Sequence, residues 1–216
     1  MSYPRFTALA QTLPASVPFV GPEAQERQRG AAFAARLGAN ENGFGPSPKV
    51  LEAIQAHAQE AWMYGEPESH DLRSALARHH GIGLENLVVG EGIDGLLGYL
   101  VRLTVENGDA VVTSDGAYPT FNYHVAGFGG ALHKVPYNGD FEDPAALLDK
   151  ARAVNAKLIY LANPDNPMGT YHTGSVIEDM AANLPEGCLL VLDEAYIELA
   201  PKEAIADLAI DHPGVI

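Results

Sequence analysis

Two short apolar runs, Leu158-Ile159-Tyr160-Leu161-Ala162 and Leu189-Leu190-Val191-Leu192, narrow the folds open to this chain more than any other feature. Neither alternates apolar with polar residues. A strand that is apolar at every position has both faces covered, which is the condition of a strand inside a parallel sheet flanked by helices. Each run ends in a polar cluster, Asn163-Pro164-Asp165-Asn166-Pro167-Met168-Gly169 after the first and Asp193-Glu194-Ala195-Tyr196 after the second. Open α/β sheets bind ligands at the carboxyl ends of their strands, so both clusters fall on the edge where a site belongs. The first cluster is a turn, because its prolines remove backbone donors and Gly169 admits an unusual φ.

The chain before these runs repeats the alternation of strand and helix. Residues 86–90 read as a first sheet strand, followed by a helix opening at Glu91-Gly92-Ile93-Asp94-Gly95. Residues 110–113 read as a second strand leading into Gly116-Ala117-Tyr118-Pro119-Thr120-Phe121, and residues 132–136 as an edge strand, since Pro136 ends it and Lys134 suits a solvated edge. Asp143-Pro144 opens a helix to Val154 that crosses back to Leu158. Farther upstream, Ser47 reads as a cap and Pro48 as the first residue of a helix to about Trp62, and residues 71–78 as another helix. Regular succession of this kind predicts right-handed crossovers, hence an α/β fold with a mostly parallel sheet and flanking helices. Residues 1–36 read as an amino-terminal arm with at most a short helix at 22–35, and residues 37–216 as the domain itself.

Composition removes several classes of function. A formal net charge of −15 disfavours nucleic acid and anionic membranes, which need clustered Lys and Arg. Cys188 is the only cysteine, so there is no intrachain disulfide and no thiolate metal site, as suits a reducing compartment; the histidines lack the paired spacing of a zinc site. No secretory signal and no apolar run of membrane-spanning length are visible, and the expected location is the cytoplasm.

Asn166, Asp193 and Tyr196 form a coherent set for pyridoxal phosphate. A buried Asp facing the pyridine nitrogen keeps it protonated, while an amide and a phenol can both hydrogen-bond the ring oxygen. The glycine turn at 90–95 leaves free N–H groups at the positive end of a helix, which suits a phosphate, although a tight turn needs no ligand to explain it. Asn-Pro-x-Gly followed by Asp-x-Ala-Tyr, each after a buried strand, resembles the fold-type I pyridoxal phosphate-dependent aminotransferases, and Asn163-Pro164-Asp165-Asn166-Pro167 is most similar to the histidinol-phosphate aminotransferase branch.

That resemblance implies the large cofactor domain of the fold and a set of roles. Backbone groups at Gly92, Ile93 and Asp94 would hold the phosphate, with Ile93 standing where the family has a small or hydroxyl-bearing residue. Phe121 would stack on the pyridine ring in place of the more usual Tyr. Asp193 and Tyr196 would serve catalysis, and Asn40 and Asn42 the substrate. Tyr64 would reach the site of a neighbouring subunit, which implies a homodimer, though a Tyr at the edge of a core explains it as well. No metal is implied. None of Lys49, Lys134, Lys150, Lys157 and Lys202 fits the lysine that forms the Schiff base with the cofactor. The expectation is therefore an incomplete large domain, corresponding to the amino-terminal half of such an enzyme, with the small carboxyl-terminal domain and its substrate-binding Arg absent. The implied activity is transfer of an amino group between an amino acid, or an amino phosphate ester resembling histidinol phosphate, and a 2-oxo acid, in amino-acid biosynthesis. A phosphothreonine-type decarboxylase of the same fold and an inert cofactor-binding or interaction module stay open as alternatives.

Overall fold

The computed structural model describes residues 5–14, 19–206, 208, 210 and 212–216. They divide into two compact units, Phe19–Val88 and Val89–Ile216, the latter with the described part of residues 1–18, which holds helix α1 (Ala8–Thr12). The division does not fall at the expected end of the arm, residue 36. Arg36 pairs with Glu23 at 2.7 Å and with Glu26 at 2.5 Å, which ties the segment after helix α2 (Pro22–Arg29) back onto that helix. The Phe19–Val88 unit also holds α3 (Pro48–His57) and α4 (His70–His80), and none of its three helices contains a buried residue. Pro48 opens α3 as expected, but Ser47 makes no side-chain cap bond and the helix tightens into a 3-10 turn over Ala58–Glu60.

The Val89–Ile216 unit is a three-layer α/β structure. Its sheet is built from β1 (Ala110–Ser114), β2 (Ala131–Val135), β3 (Leu158–Ala162) and β4 (Leu189–Asp193), in the order β2-β1-β3-β4 and parallel throughout. Helices α5 (Gly92–Thr104), α6 (Pro119–Gly127), α7 (Pro144–Val154) and α8 (Gly174–Ala182) cover it. Side chains of β3 alternate between two cores. Leu158 and Tyr160 pack with Leu97 and Val101 of α5 and Phe121 and Val125 of α6, whereas Ile159 and Leu161 pack with Leu147 of α7 and Ile177 and Met180 of α8. All five residues of β3 are buried, as the lack of alternation in sequence demanded.

Local chemistry sets the ends of these elements. Asp143 accepts a hydrogen bond from the Ala146 N–H at 3.0 Å and Pro144 occupies the first helical position of α7. β2 lies at the edge, and Lys134 on it reaches Asp115 at 3.0 Å across an exposed surface. At Gly174, the first residue of α8, a Cβ would lie 2.2 Å from the Ile205 carbonyl oxygen, so the position takes glycine. Residues 214–216 add along β4, with Leu190 N–H donating to Gly214 O at 2.8 Å and Leu192 N–H to Ile216 O at 2.9 Å.

The expected strand at 86–90 is not one. Leu84–Asn86 is a 3-10 turn, and Leu87, though extended at φ −122° and ψ 128°, joins no ladder among the described residues. Extended dihedrals do not make a strand without a partner for the amides, and Val88 is 77% exposed. The order of the other four places a reversal of winding between β1 and β3, the point at which open α/β sheets hold ligands.

Candidate active site

Asp193 is the last residue of β4 and is buried. It pairs in register with Ala162, and Tyr160 lies two residues back on the neighbouring strand and on the same face of the sheet. The Tyr160 phenol therefore reaches diagonally beneath the carboxylate and donates to Oδ2 at 2.5 Å, while the Ala195 N–H donates to Oδ1 at 3.0 Å. Burial, followed by the negative charge of Asp193, drives the Tyr160 phenol well above the usual tyrosine range, so it remains a donor.

The turn after β3 is fixed by Asn163, whose polar side-chain atoms are all engaged. Its amide nitrogen donates to the carbonyls of His172 and Ala204, each at 3.1 Å, and its oxygen accepts from the His172 N–H at 2.8 Å. Asp165 closes the turn by accepting from Tyr137 Oη at 3.0 Å, and burial raises its carboxyl above the usual range. Gly169 has φ +72°, the freedom expected of it. Beneath this turn, Glu142 accepts from Ser114 Oγ at 2.5 Å and from the Ala162 N–H at 2.9 Å, joining the carboxyl ends of β1 and β3. Burial pushes its carboxyl up to about 7, partly offset by those two bonds.

These elements surround a recess of about 60 Å³ lined by Ile93, Tyr118, Ala162, Asn166, Asp193 and Tyr196, among others. Three residues expected to act together, Asn166, Asp193 and Tyr196, thus do meet. Ile93 joins them from the start of α5, where Gly92 has φ +77° and the first N–H groups have no partner within the helix. Asp94, one residue on, accepts a hydrogen bond from Tyr118 Oη at 2.7 Å.

Phe121 is elsewhere, and the expectation that it stacks on a ligand ring is corrected. It is fully buried and stacked on Tyr160, with ring centroids 4.5 Å apart and planes at 17°, so neither face is open to the recess. The reason is helical geometry: α6 starts at Pro119, which puts Phe121 and Val125 one turn apart on its core face. Tyr118 stands just before the helix, half-buried, and presents its ring to the recess. Proline at a first helical position was the available signal, because the residue before it lies outside the helix on the ligand edge. Sequence reasoning also missed Tyr160 and Glu142, which are not in sequence motifs but are brought to the site by strand register and a loop.

Asn40, Asn42 and Tyr64 belong to the Phe19–Val88 unit. Asn40 has φ +52°, Asn42 Oδ1 accepts from the Phe44 N–H at 3.0 Å, and Tyr64 is fully exposed. Among the described residues no lysine lines the recess; Lys157 pairs with Asp109 at 2.8 Å, at the amino end of β3. Among the described residues no group of three His, Cys, Asp or Glu side chains could hold a metal ion, and no helix is long and apolar enough to cross a membrane.

The model of the family described as aminotransferase class I and II matches residues 35–216. The chain belongs to that family. A histidinol-phosphate aminotransferase of Anaeromyxobacter sp. (strain Fw109-5) is 34% identical over 197 residues, which are 90% of this chain and 54% of the relative. The crystal structure of a histidinol-phosphate aminotransferase from Sinorhizobium meliloti in complex with pyridoxal-5'-phosphate superimposes with a TM-score of 0.93 at 57% identity, over 99% of this chain and 58% of that one. An L-threonine-O-3-phosphate decarboxylase from Porphyromonas gingivalis shares the fold, with a TM-score of 0.66 at 17% identity over 78% of this chain and 52% of that one. The chain spans about half the length of the curated relatives it matches. Within the class I and II aminotransferases, then, this chain supplies the α/β architecture with a four-stranded parallel sheet and the ligand edge described above.

Proposed function

We propose that the protein to which this chain belongs is a pyridoxal phosphate-dependent aminotransferase that moves an amino group between histidinol phosphate, or a similar amino compound, and a 2-oxo acid. The observation that carries this reading is the meeting of Asp193, Asn166 and Tyr196 with the Tyr118 ring at the start of α5. The donor set fits the cofactor: an aromatic shelf for a flat ring, a carboxylate for a ring N–H, an amide and a phenol for a ring oxygen, and backbone N–H groups at a helix start for a phosphate. When bound, pyridoxal phosphate supplies an electron-poor ring that accepts the electron pair left as a substrate carbon gives up its proton.

The residues of this chain would each contribute one part. Asp193, held by Tyr160 and Ala195, accepts the ring N–H. Tyr118, braced by Asp94, presents a flat face that fixes the plane of the ring. Asn166 and Tyr196 orient it from the oxygen side. Ile93 offers no side-chain donor, so the N–H groups of Ile93 and Asp94 take the phosphate. Asn40, Asn42 and Tyr64 are proposed to meet substrate, Tyr64 from the second subunit of a homodimer; apolar exposure at Val50, Leu51, Ile54 and Trp62 supports association. A cytoplasmic location is proposed with it, supported by the single, buried Cys188.

The test is to assay the full-length protein for amino transfer with histidinol phosphate and a 2-oxo acid, and separately for release of carbon dioxide with L-threonine-O-3-phosphate. Amino transfer is expected, together with a loss of about a hundred- to a thousandfold in turnover in Asp193→Asn while the fold is kept, the range that electrostatic groups at a reacting centre contribute. Carbon dioxide release without transfer would favour the decarboxylase, and neither reaction the inert module. Near-normal turnover in Asp193→Asn would remove Asp193 from the ring nitrogen.

A further inference from the structure

We infer that Tyr160 is a positioning residue that fixes the Asp193 carboxylate so that it faces, and holds the proton of, a ring nitrogen opposite it. The inference rests on the proposed cofactor reading and adds a residue to it. Both carboxylate oxygens of Asp193 already accept a hydrogen bond, Oδ2 from the Tyr160 phenol at 2.5 Å and Oδ1 from the Ala195 N–H at 3.0 Å. The group therefore cannot rotate without losing one of them. Held in that way, the carboxylate keeps a lone pair aimed at a ring N–H, and a carboxylate fixed beside a pyridine nitrogen favours the charged, protonated ring. A pyridinium takes up electrons from the substrate carbon more readily than a neutral pyridine does.

Tyr160 is held so that it can only do this. It is fully buried in β3, and Phe121 stacks on its ring at 4.5 Å, itself fully buried on α6. The hydroxyl is thus aimed by the packing of a strand against a helix, and Phe121 acquires a role one step behind the site in place of the one expected of it at the cofactor. Tyr160 does not give up its own proton, because burial and the carboxylates of Asp193 and Glu142 oppose a phenolate there.

Tyr160→Phe keeps the ring, the stack and the volume, and removes only the donor. In the full-length protein loaded with pyridoxal phosphate labelled with 15N at the ring, the wild-type nitrogen should resonate at the pyridinium position. Tyr160→Phe should move the signal part of the way to that of neutral pyridine, and Asp193→Asn the whole way. Cofactor affinity should fall on the order of tenfold in Tyr160→Phe, the worth of one hydrogen bond to a charged group. Thermal melting of the apo form separates this from a loss of fold, because a merely structural role would lower the melting temperature and leave the nitrogen signal in place. A second measurement needs no substitution at 160: the downfield proton resonance of the phenol bonded to Asp193 should shift on loading and vanish in Asp193→Asn. A wild-type nitrogen signal in Tyr160→Phe, with a neutral one in Asp193→Asn, overturns the inference and leaves the cofactor reading standing. A phenol resonance that ignores loading also overturns it. An unchanged nitrogen signal in Asp193→Asn overturns the cofactor reading and this inference with it.

Discussion

A buried carboxyl with no cation partner among the described residues sits directly behind the candidate site. Glu142 is 2% exposed, and its carboxyl rises from 4.5 to about 7 because burial penalises the charge more than Ser114 and Ala162 relieve it. The folded chain therefore holds this proton more tightly than the unfolded chain does. The associated stability is fully present below about pH 4.5 and is lost as the pH rises through about 7. Glu142→Gln keeps a group that can accept from the Ala162 N–H and donate to Ser114 Oγ, but cannot ionise. Its stability should be flatter between these pH values, and above pH 7 it should exceed the wild type by on the order of 2 kcal/mol. Urea unfolding of both proteins at pH 5, 6, 7 and 8 measures this, and parallel curves would mean that Glu142 ionises freely. Tyr118 and Phe121 offer a sharper contrast. Tyr118→Ala removes a ring that lines the recess and should weaken cofactor binding by about fivefold with little change in melting, since stacking is worth about 1 kcal/mol. Phe121→Ala opens a cavity and should cost about 3–5 kcal/mol of stability. Cofactor titration and thermal melting of the pair would reveal the opposite pattern if the two roles were reversed.

Elements with a self-contained signature were legible in the sequence, and elements defined by a partner were not. β3 and β4 announced themselves as apolar runs, α7 by Asp143 and Pro144, and the edge position of β2 by Lys134 and Pro136. The residues at 86–90 carried the same apolar signal but join no ladder among the described residues, and pairing is not a property of a segment alone. The site divides in the same way. Asn166, Asp193 and Tyr196 follow strands at fixed offsets and could be read, whereas Tyr160 reaches Asp193 only through the β3–β4 register and Glu142 through a loop that crosses two strand ends. Phe121 was misplaced because a motif names a neighbourhood, and the start of α6 decides which aromatic of that neighbourhood turns inward. Close approach between elements is equally invisible in sequence. Gly174 is required because the backbone at Ile205 passes over the start of α8, so Gly174→Ala should lower stability by about 2 kcal/mol through overpacking. An unchanged melting temperature in that variant would mean that the segment at 205 yields without cost.

At the scale of the whole molecule, the helix α3 presents Val50, Leu51 and Ile54 on one face, 47%, 45% and 60% exposed, and buries no residue. Apolar spacing of i, i+1 and i+4 describes a helix made to be covered. Twofold association covers such a face twice for one set of residues, and it brings residues of one subunit to the site of the other. If Tyr64 serves its partner's site, two inactive variants should rescue each other. Let one carry Tyr64→Ala and the other Asp193→Asn, and let the full-length subunits exchange. In a mixed dimer the site of the first subunit has its own Asp193 and its partner's Tyr64, so it is intact, while the other site lacks both. Random exchange makes half the dimers mixed with one working site in two, and activity should recover to about a quarter of the wild type. Were Tyr64 to act within its own subunit, every site in the mixture would lack one group and no activity would return. Sedimentation of the same mixture separates this outcome from a failure to associate, because monomers would give no recovery and would also sediment as half the mass.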